Sequence, residues 1–201
     1  MSVPINTPSQ YIGRPSGIAQ TGTAGTTGGI SVVEAGGDTG VRQTVITLTN
    51  VPMAISNTTS GGGVKVYDFP AGYIAILGAT GNPVWTTTSA IAGTLNASKT
   101  GNWGLGTVVQ ANATLATTEI NVLPGTGVTP IAMVSSATIN VAGTATAGAL
   151  SGTTVPRFDG TSTAVDLYLN LAFTTDADLD ADATVTVSGT LTVTWLNVGD
   201  Y

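Results

Sequence analysis

The sequence predicts an all-β fold, and three observations point to it. Threonine makes up about one residue in five and glycine accounts for 27 of the 201 residues, whereas the strong helix formers Lys, Glu, Arg and Gln are scarce. Polar and apolar residues alternate with a period of two near the C-terminus. Shorter apolar runs elsewhere are separated by Gly- and Pro-rich turns. Together these features predict an antiparallel β-sandwich or jelly-roll-like barrel with an extended N-terminal arm.

Residues 1–38 are predicted to form the arm, and residues 39–201 the sandwich. Gly, Thr, Ser and Pro dominate the first segment, in runs such as "GRPSG" and "TGTAGTTGG", with few apolar residues to anchor it. A segment of this composition does not bury enough apolar surface to order by itself. We therefore expect it to be pinned either against its own barrel or against neighbouring chains.

The strands of the sandwich are predicted to begin at Val41. In "VRQTVITLTNVPMAIS" the alternation is loose, and Pro52 is expected to end the strand or to place it at an edge. The run "TTSGGG", Thr58 to Gly63, is predicted to be a turn. The strands "VKVYDF" and "YIAILGA" follow, separated by a turn at Pro70–Gly72.

The strongest strand signals lie near the C-terminus. In "VDLYLNLAFT" one face is apolar, with Val165, Leu167, Leu169, Leu171 and Phe173. In "TVTVSGTLTVTW" the apolar face holds Val185, Val187, Leu191, Val193 and Trp195, and the opposite face carries threonine and serine. Gly189 interrupts this run and predicts a bulge or a bend. We interpret the two strands as a hairpin joined by a short polar segment.

The residue types that are missing exclude several kinds of chemistry. The chain has no His and no Cys, so disulfides, the usual zinc and haem ligands, thiol nucleophiles and imidazole bases are excluded. The five cations, Arg14, Arg42, Lys65, Lys99 and Arg157, are scattered in a chain of net charge −6. Nucleic-acid binding is therefore not expected. Neither a secretory signal nor an apolar run of about 20 residues is present, so no membrane association is expected.

The segment "TTDADLDADA" contains the one arrangement of acids that suggests a cation site. Asp176, Asp178, Asp180 and Asp182 alternate, so in an extended strand they would share one face and offer oxygen ligands to calcium. The EF-hand template does not fit, because Ala181 stands at its glycine position and Val187 at its closing carboxylate position. A solvated loop between strands is the favoured interpretation, with calcium as the alternative.

Two enzymatic alternatives find little support in the sequence. Paired carboxylates for glycoside hydrolysis could come from Glu34, Glu119, Asp68 and Asp159, with Trp85 or Trp103 stacking on a sugar, but nothing in the spacing brings them together. A serine or threonine nucleophile would need Lys65 or Lys99 as its base. We therefore predict a protein that is not an enzyme, with no catalytic residues, no cofactor and no small-molecule substrate.

Two segments resemble virion structural proteins of tailed bacteriophages. They are "GLGTVVQANATLATTEINVLPGT", Gly104 to Thr126, and the closing "GTLTVTWLNVGDY", Gly189 to Tyr201; "YDFPAGYIAILGAT", Tyr67 to Thr80, is similar in character. Together they cover about half of the chain. The resemblance implies a capsid decoration (cement) protein: a β-sandwich or jelly-roll module, often a homotrimer, that is made in the host cytoplasm and binds the major capsid protein on the outer surface of the virion.

The low charge, the many hydroxyl groups and the predicted β-sandwich are compatible with this role. A decoration protein needs contact area, hydrogen bonds and multivalent binding but no active site. We expect the arm to carry much of the capsid affinity, and the domain to remain folded when residues 2–37 are deleted. The candidate contact residues for the capsid or for other copies are Tyr11, Ile12, Arg14, Trp85 and Trp103. A phage tail or head-fibre module that contacts host surface glycans is the alternative.

Overall fold

The computed structural model of the protein describes residues 21–36, 41–88, 99–123, 131–133, 138–142, 156–173 and 181–199. These residues form an all-β sandwich, which confirms the predicted fold class. Its strands are β1 (Thr23–Ala24), β2 (Ile30–Ala35), β3 (Val41–Ile55), β4 (Gly61–Asp68), β5 (Tyr73–Gly81), β6 (Val84–Thr88), β7 (Lys99–Gly106), β8 (Ile131–Met133), β9 (Thr138–Ala142), β10 (Arg157–Asp159), β11 (Asp166–Phe173) and β12 (Ala183–Asn197). A single 3-10 turn covers Thr117–Glu119.

The described strands form two antiparallel sheets. Sheet A has the order β1-β4-β11-β7-β8, and sheet B has the order β10-β5-β12-β3-β2. In sheet B, β6 continues along the edge of β12 where β5 stops, and β9 pairs with β6. The 15-residue strand β12 is thus the centre of sheet B, with β3 on one side and β5 and β6 on the other.

The core lies between the sheets and includes all three tryptophans, each fully buried. Tyr67 packs edge-to-face on Phe69, and Phe69 packs edge-to-face on Trp195, with ring centroids 5.0 and 5.4 Å apart. The predicted period of two is confirmed in both C-terminal strands: Leu167, Leu169, Leu171, Phe173, Val185, Val187, Leu191, Val193 and Trp195 are all buried.

The predicted hairpin between these two strands is wrong. In sheet A, β11 pairs with β4 and β7, whereas β12 pairs with β3, β5 and β6 in sheet B. Each strand therefore has its hydrogen-bonding edges occupied by other strands, and the two apolar faces meet across the core instead of lying side by side. A period of two indicates that one face is buried but does not identify the sheet to which a strand belongs.

The loose alternation of β3 has a structural cause. Its buried residues are Thr44, Ile46 and Leu48 in the first half, but Val51, Met53 and Ile55 in the second. Between these halves, Thr49 and Asn50 stand opposite the single residue Ser188 of β12, and Asn50 has a positive φ of 49°. This is a β-bulge, and it shifts the phase of the alternation by one residue.

In this region, the edge alternative predicted for Pro52 is confirmed, and the predicted turn at Thr58–Gly63 is corrected. The strand β3 does not end at Pro52 but continues to Ile55. Pro52 is tolerated because β2 pairs with β3 only as far as Leu48, which leaves one edge of β3 without a described partner strand at the proline. Gly61–Gly63 do not belong to the predicted turn but open β4; a Cβ on Gly62 would lie 1.9 Å from the carbonyl oxygen of Ala54, so close packing requires the glycine.

Residues 21–36, which the sequence assigned to the arm, supply an edge strand to each sheet. β1 pairs with β4 in sheet A, and β2 pairs with β3 in sheet B. The amide of Gly22 lies 3.0 Å from both the Glu34 carboxylate and the Tyr67 hydroxyl oxygen. This part of the predicted arm is therefore pinned against its own sandwich, one of the two expected arrangements. Residues 1–20, 37 and 38 of the arm lie outside the described residues.

Candidate docking face

The outer surface of sheet B carries no charged side chain on the described parts of β2, β3 and β12. Its members alternate with the buried residues: Ser31, Val33 and Ala35 on β2; the odd-numbered residues 41–49 with Pro52 and Ala54 on β3; and the even-numbered residues 184–196 on β12. Thr80 extends it onto β5. We call this surface the hydroxyl face, because eight of these positions between Thr47 and Thr194 are threonines.

The hydroxyl face is organised in rows that cross the strands. Val33, Val45, Thr192 and Thr80 stand side by side on four successive strands. The neighbouring row contains Ser31, Thr47 and Thr190. Because adjacent strands lie about 4.8 Å apart, each row places hydroxyl and methyl groups at regular spacing on one surface.

These hydroxyl groups are available to a partner. Those of Thr47, Thr80, Thr190, Thr192 and Thr194 make no hydrogen bond within the described part of the chain. An exposed hydroxyl is satisfied by water and therefore carries no cost while the surface is free. The same groups can exchange water for hydrogen bonds to another protein when the surface is covered.

The β-bulge between β3 and β12 lies at Asn50 and Gly189, next to Asn82. Gly189 has a φ of 128°, and a Cβ at this position would lie 2.5 Å from the carbonyl oxygen of Asn82. On one side the amide of Thr190 donates to Asn82 Oδ1 over 3.0 Å; on the other the amide of Asn50 donates to Ser188 Oγ over 2.9 Å. The predicted bulge at Gly189 is confirmed by the register shift between Val187 and Gly189.

The outer surface of sheet A is closed by the chain itself. Residues 107–121 cross over it and are held by Asn170 of β11, which is fully buried. Asn170 Oδ1 accepts from the amide of Gln110 over 2.9 Å, and its Nδ2 donates to the carbonyl oxygens of Val108 and Glu119 over 2.9 and 2.8 Å. Both N–H donors and the oxygen of the Asn170 side-chain amide thus have partners in this loop, which offsets the cost of burying the amide.

Glu119 supports the same loop from within. Its carboxylate is 5% exposed and accepts from the amides of Ala111 and Ala116 over 2.7 and 3.0 Å. Backbone N–H groups are strong donors to a carboxylate, so the acid organises the loop. This contact assigns a structural role to an acid that the sequence offered for glycoside hydrolysis.

The other end of the sheet A surface carries a charged cluster. Lys65 Nζ lies 2.5 Å from Asp166 Oδ1 and 3.2 Å from Asp68 Oδ2, and the Tyr168 hydroxyl donates to Asp166 Oδ2 over 2.9 Å. The hydrogen bond to Asp166 raises the pKa of Lys65 above its ordinary value. Burial opposes ionisation of Asp166, but the hydrogen bonds from Lys65 and Tyr168 outweigh it and hold its pKa below the ordinary value.

Glu34 lies on the inner side of β2 and is also used internally. It accepts a short hydrogen bond from the Tyr67 hydroxyl, and its second oxygen lies 3.9 Å from Arg42 Nη1. Burial, together with this bond to Glu34, raises the pKa of Tyr67 far above that of a free tyrosine. The four acids considered for glycoside hydrolysis are therefore far from forming one site. Glu34 accepts from Tyr67, and Glu119 accepts from amides of residues 107–121. Asp68 pairs with Lys65, and Asp159 accepts from the amide of Thr161.

The burial of Trp85 and Trp103 corrects the prediction that they contact a partner. Trp85 and Trp103 are both fully buried, with ring centroids 5.9 Å apart in the core. They fill the space between the sheets because large aromatic side chains bury the most apolar area per residue. Neither reaches the surface to contact a partner, so these two are core residues. Tyr11, Ile12 and Arg14 lie outside the described residues.

The aspartate series falls mostly outside the described residues. Asp176, Asp178 and Asp180 are not among them, and Asp182 is exposed and accepts from the amide of Asn57 over 2.9 Å. Within the described ranges, no group of three or more acidic side chains is placed to hold a metal ion. A groove of about 690 Å³ lies beside Asp182, lined by Gly61–Gly63, Val109 and Gln110, and its described lining offers one ionisable side chain.

Comparison with known proteins adds no assignment. No family, no curated protein and no solved structure matches the chain. Among the described residues, no helix is long and apolar enough to cross a membrane. The β12 part of the hydroxyl face could have been found from the sequence, since the alternate positions of β12 lack charge throughout, but only the pairing shows that β2 and β3 extend the same surface.

Proposed function

We propose that the protein is a structural virion component, a capsid decoration protein that binds the outer surface of the major capsid protein shell through its hydroxyl face. One observation carries the proposal: a broad surface of sheet B is uncharged, and the hydroxyls of Thr47, Thr80, Thr190, Thr192 and Thr194 on it are not used within the described part of the chain. The resemblance of Gly104–Thr126 and Gly189–Tyr201 to virion structural proteins supports the choice of partner. A structural role, without catalysis, fits a surface of this chemistry.

The size of the face determines how it would bind. The face spans most of β3 and β12 and the six residues of β2, which gives an area of about 500 Å² at ordinary strand spacing, below the ~800 Å² per partner of a standard interface. A single copy is therefore expected to bind weakly. Several linked copies that engage the repeating shell together would bind strongly through avidity.

The absence of charge sets a second expectation. Among the described residues, the charged side chains lie away from the face, for example Lys65, Asp68 and Asp166 on sheet A, and Glu34 and Arg42 on the inner side of sheet B. Contacts made by hydroxyl and methyl groups are screened little by salt, whereas ion pairs weaken as ionic strength rises. Binding to the shell is therefore expected to change little with salt concentration.

The test mixes the purified full-length protein with expanded capsids that lack it and images where density appears. Thr47→Lys with Thr80→Lys places two charges on exposed positions of the hydroxyl face. The matched control, Thr114→Lys with Thr163→Lys, adds the same charge at exposed positions outside it. We expect density for the wild type and the control, and none for the face variant.

Two results would contradict the proposal. Wild-type protein that adds no density to capsids would remove the decoration role itself. Equal occupancy by the face variant and the control would keep the decoration role but show that another surface makes the contact.

A further inference from the structure

The outer edge of β2 forms one border of the hydroxyl face. β2 pairs with β3 from Ile30 to Ala35, and no described strand pairs with its other edge. Val33 projects from it with 68% of its surface exposed, more than any other large hydrophobic residue described. Unpaired N–H and C=O groups beside an exposed valine form a template for another strand.

β2 lacks the features by which proteins protect such edges. It contains no proline, no lysine and no bulge. Its one charged residue, Glu34, turns inward to Tyr67 and Arg42 and keeps only 8% of its side chain exposed. The edge therefore presents no charge, although the whole chain carries −6.

The strand is also compatible with a second copy of itself. In an antiparallel pair, facing residues must point to the same side of the sheet. A two-fold axis at Val33 meets this condition: Val33 of one copy stands beside Val33 of the other, and Ser31 beside Ala35. Like charges do not meet, and the outward row Val33–Val45–Thr192–Thr80 continues into the second copy.

We propose that two copies of the chain pair antiparallel through β2, which joins both B sheets into one. A contact of this kind uses the same edge on both copies and closes with two of them, so it makes a dimer and not the trimer implied by the resemblance. It places two hydroxyl faces side by side, with a combined area of about 1,000 Å². The pairing is a property of the chain alone and does not require a capsid.

The test measures the mass of the full-length protein in solution by sedimentation equilibrium over a range of concentrations. We expect a dimer for the wild type. Val33→Lys places two ammonium groups opposite each other across the new ladder, and we expect the dimer dissociation constant to rise about tenfold or more. Thr80→Lys, at the other end of the same row, is the control and should leave the dimer intact.

Hydrogen exchange gives a second readout that needs no variant. Amides of β2 that point away from β3 should exchange more slowly as wild-type concentration rises, while those of β10, at the opposite edge, should not change. A wild-type monomer at all concentrations, a trimer, or a Val33→Lys variant that still dimerises would overturn the proposal. Dissociation by both lysine variants would indicate head-to-tail pairing of opposite edges, which also overturns it.

Discussion

The outer surfaces of the two sheets differ in what covers them. On sheet A, Asn170 is buried beneath residues 107–121, Glu119 is buried within that segment, and Lys65, Asp68, Asp166 and Tyr168 form a contact cluster. On sheet B, most threonines of the hydroxyl face make no such contacts within the described residues; Thr186, which donates to the carbonyl oxygen of Thr86, is the exception among them. The first surface satisfies its polar groups internally, and the second leaves them to water or to a partner.

The difference has an energetic basis. A polar group that is buried must find its hydrogen-bond partners inside the chain, because an unsatisfied one costs about 1–3 kcal/mol. A hydroxyl that remains in contact with water has no such requirement. Substitutions on the two surfaces should therefore differ strongly in their effect on stability, although both surfaces are polar.

The largest effect is expected from removing the segment that belongs to both sheets. From the sequence we expected the domain to fold without residues 2–37, but that deletion removes β1, β2 and the Glu34 partner of Tyr67. Ile30 and Val32 are partly buried against the core, and the loss of their contacts should cost about 1–3 kcal/mol in total, less than the ~1.5–3 kcal/mol for each fully buried side chain. We expect this variant to lose cooperative thermal unfolding.

Deletion of residues 2–20 is the matched control, because it leaves all described strands intact. This shorter variant should unfold with a midpoint close to that of the full chain. It also tests whether Tyr11, Ile12 and Arg14 contribute to capsid affinity. Cooperative unfolding of both deletion variants would show that β1 and β2 contribute little.

The second largest effect is expected at Asn170. Asn170→Ala removes three hydrogen bonds and leaves the amide of Gln110 and two carbonyl oxygens without their partner. We expect the free energy of unfolding to fall by about 3 kcal/mol. Urea denaturation followed by tryptophan fluorescence would measure it, and a loss of less than about 1 kcal/mol would indicate that the loop does not depend on Asn170.

A smaller, pH-dependent effect is expected from the charged cluster of sheet A. The folded-state pKa of Asp166 is lowered, so its contribution is present above the unfolded pKa of about 3.9 and is lost as pH falls through the folded value. Because the pair is partly exposed, Asp166→Asn should cost about 0.5–1 kcal/mol at pH 7. The difference between wild type and variant should shrink at pH 3. If the difference in unfolding free energy between wild type and variant is the same at pH 3 and pH 7, the loss of stability comes from packing and not from charge.

At alkaline pH, the same charged cluster should change the free energy of unfolding in the opposite direction, which gives a second test. The pKa of Lys65 is raised, so its contribution is present below the unfolded pKa of about 10.4 and is lost as pH rises through the folded value. The unfolding free energy should therefore decline at strongly alkaline pH. Lys65→Met should show a smaller decline than the wild type, and an equal decline would exclude this cluster as its source.

The smallest effect is expected on the hydroxyl face. Thr192→Val removes a hydroxyl that bonds to no described group and keeps the β-branched shape that suits a strand. We expect the free energy of unfolding to change by less than about 0.5 kcal/mol. A loss comparable to that of Asn170→Ala would break the distinction between the two surfaces.

Local patterns in the sequence predicted a substantial part of this structure. The scarcity of helix formers and the period of two in β11 and β12 predicted an all-β sandwich and the buried face of each strand, and Gly189 predicted the bulge. These features are readable because residue preference and alternation are properties of one strand. The candidate site was visible only in part: threonines 184–194 were evident, but the uncharged positions of β2 and β3 that complete the face were not.

The tertiary structure decided which strands are neighbours and what lies between them. It placed β11 and β12 in different sheets, moved residues 21–36 into both sheets, buried Trp85 and Trp103, and gave Glu34 and Glu119 internal partners. Each of these depends on contacts between residues far apart in the chain. Alternation specifies that one face of a strand is buried. The competition among strands for hydrogen-bonding edges and core space determines which strands that face packs against.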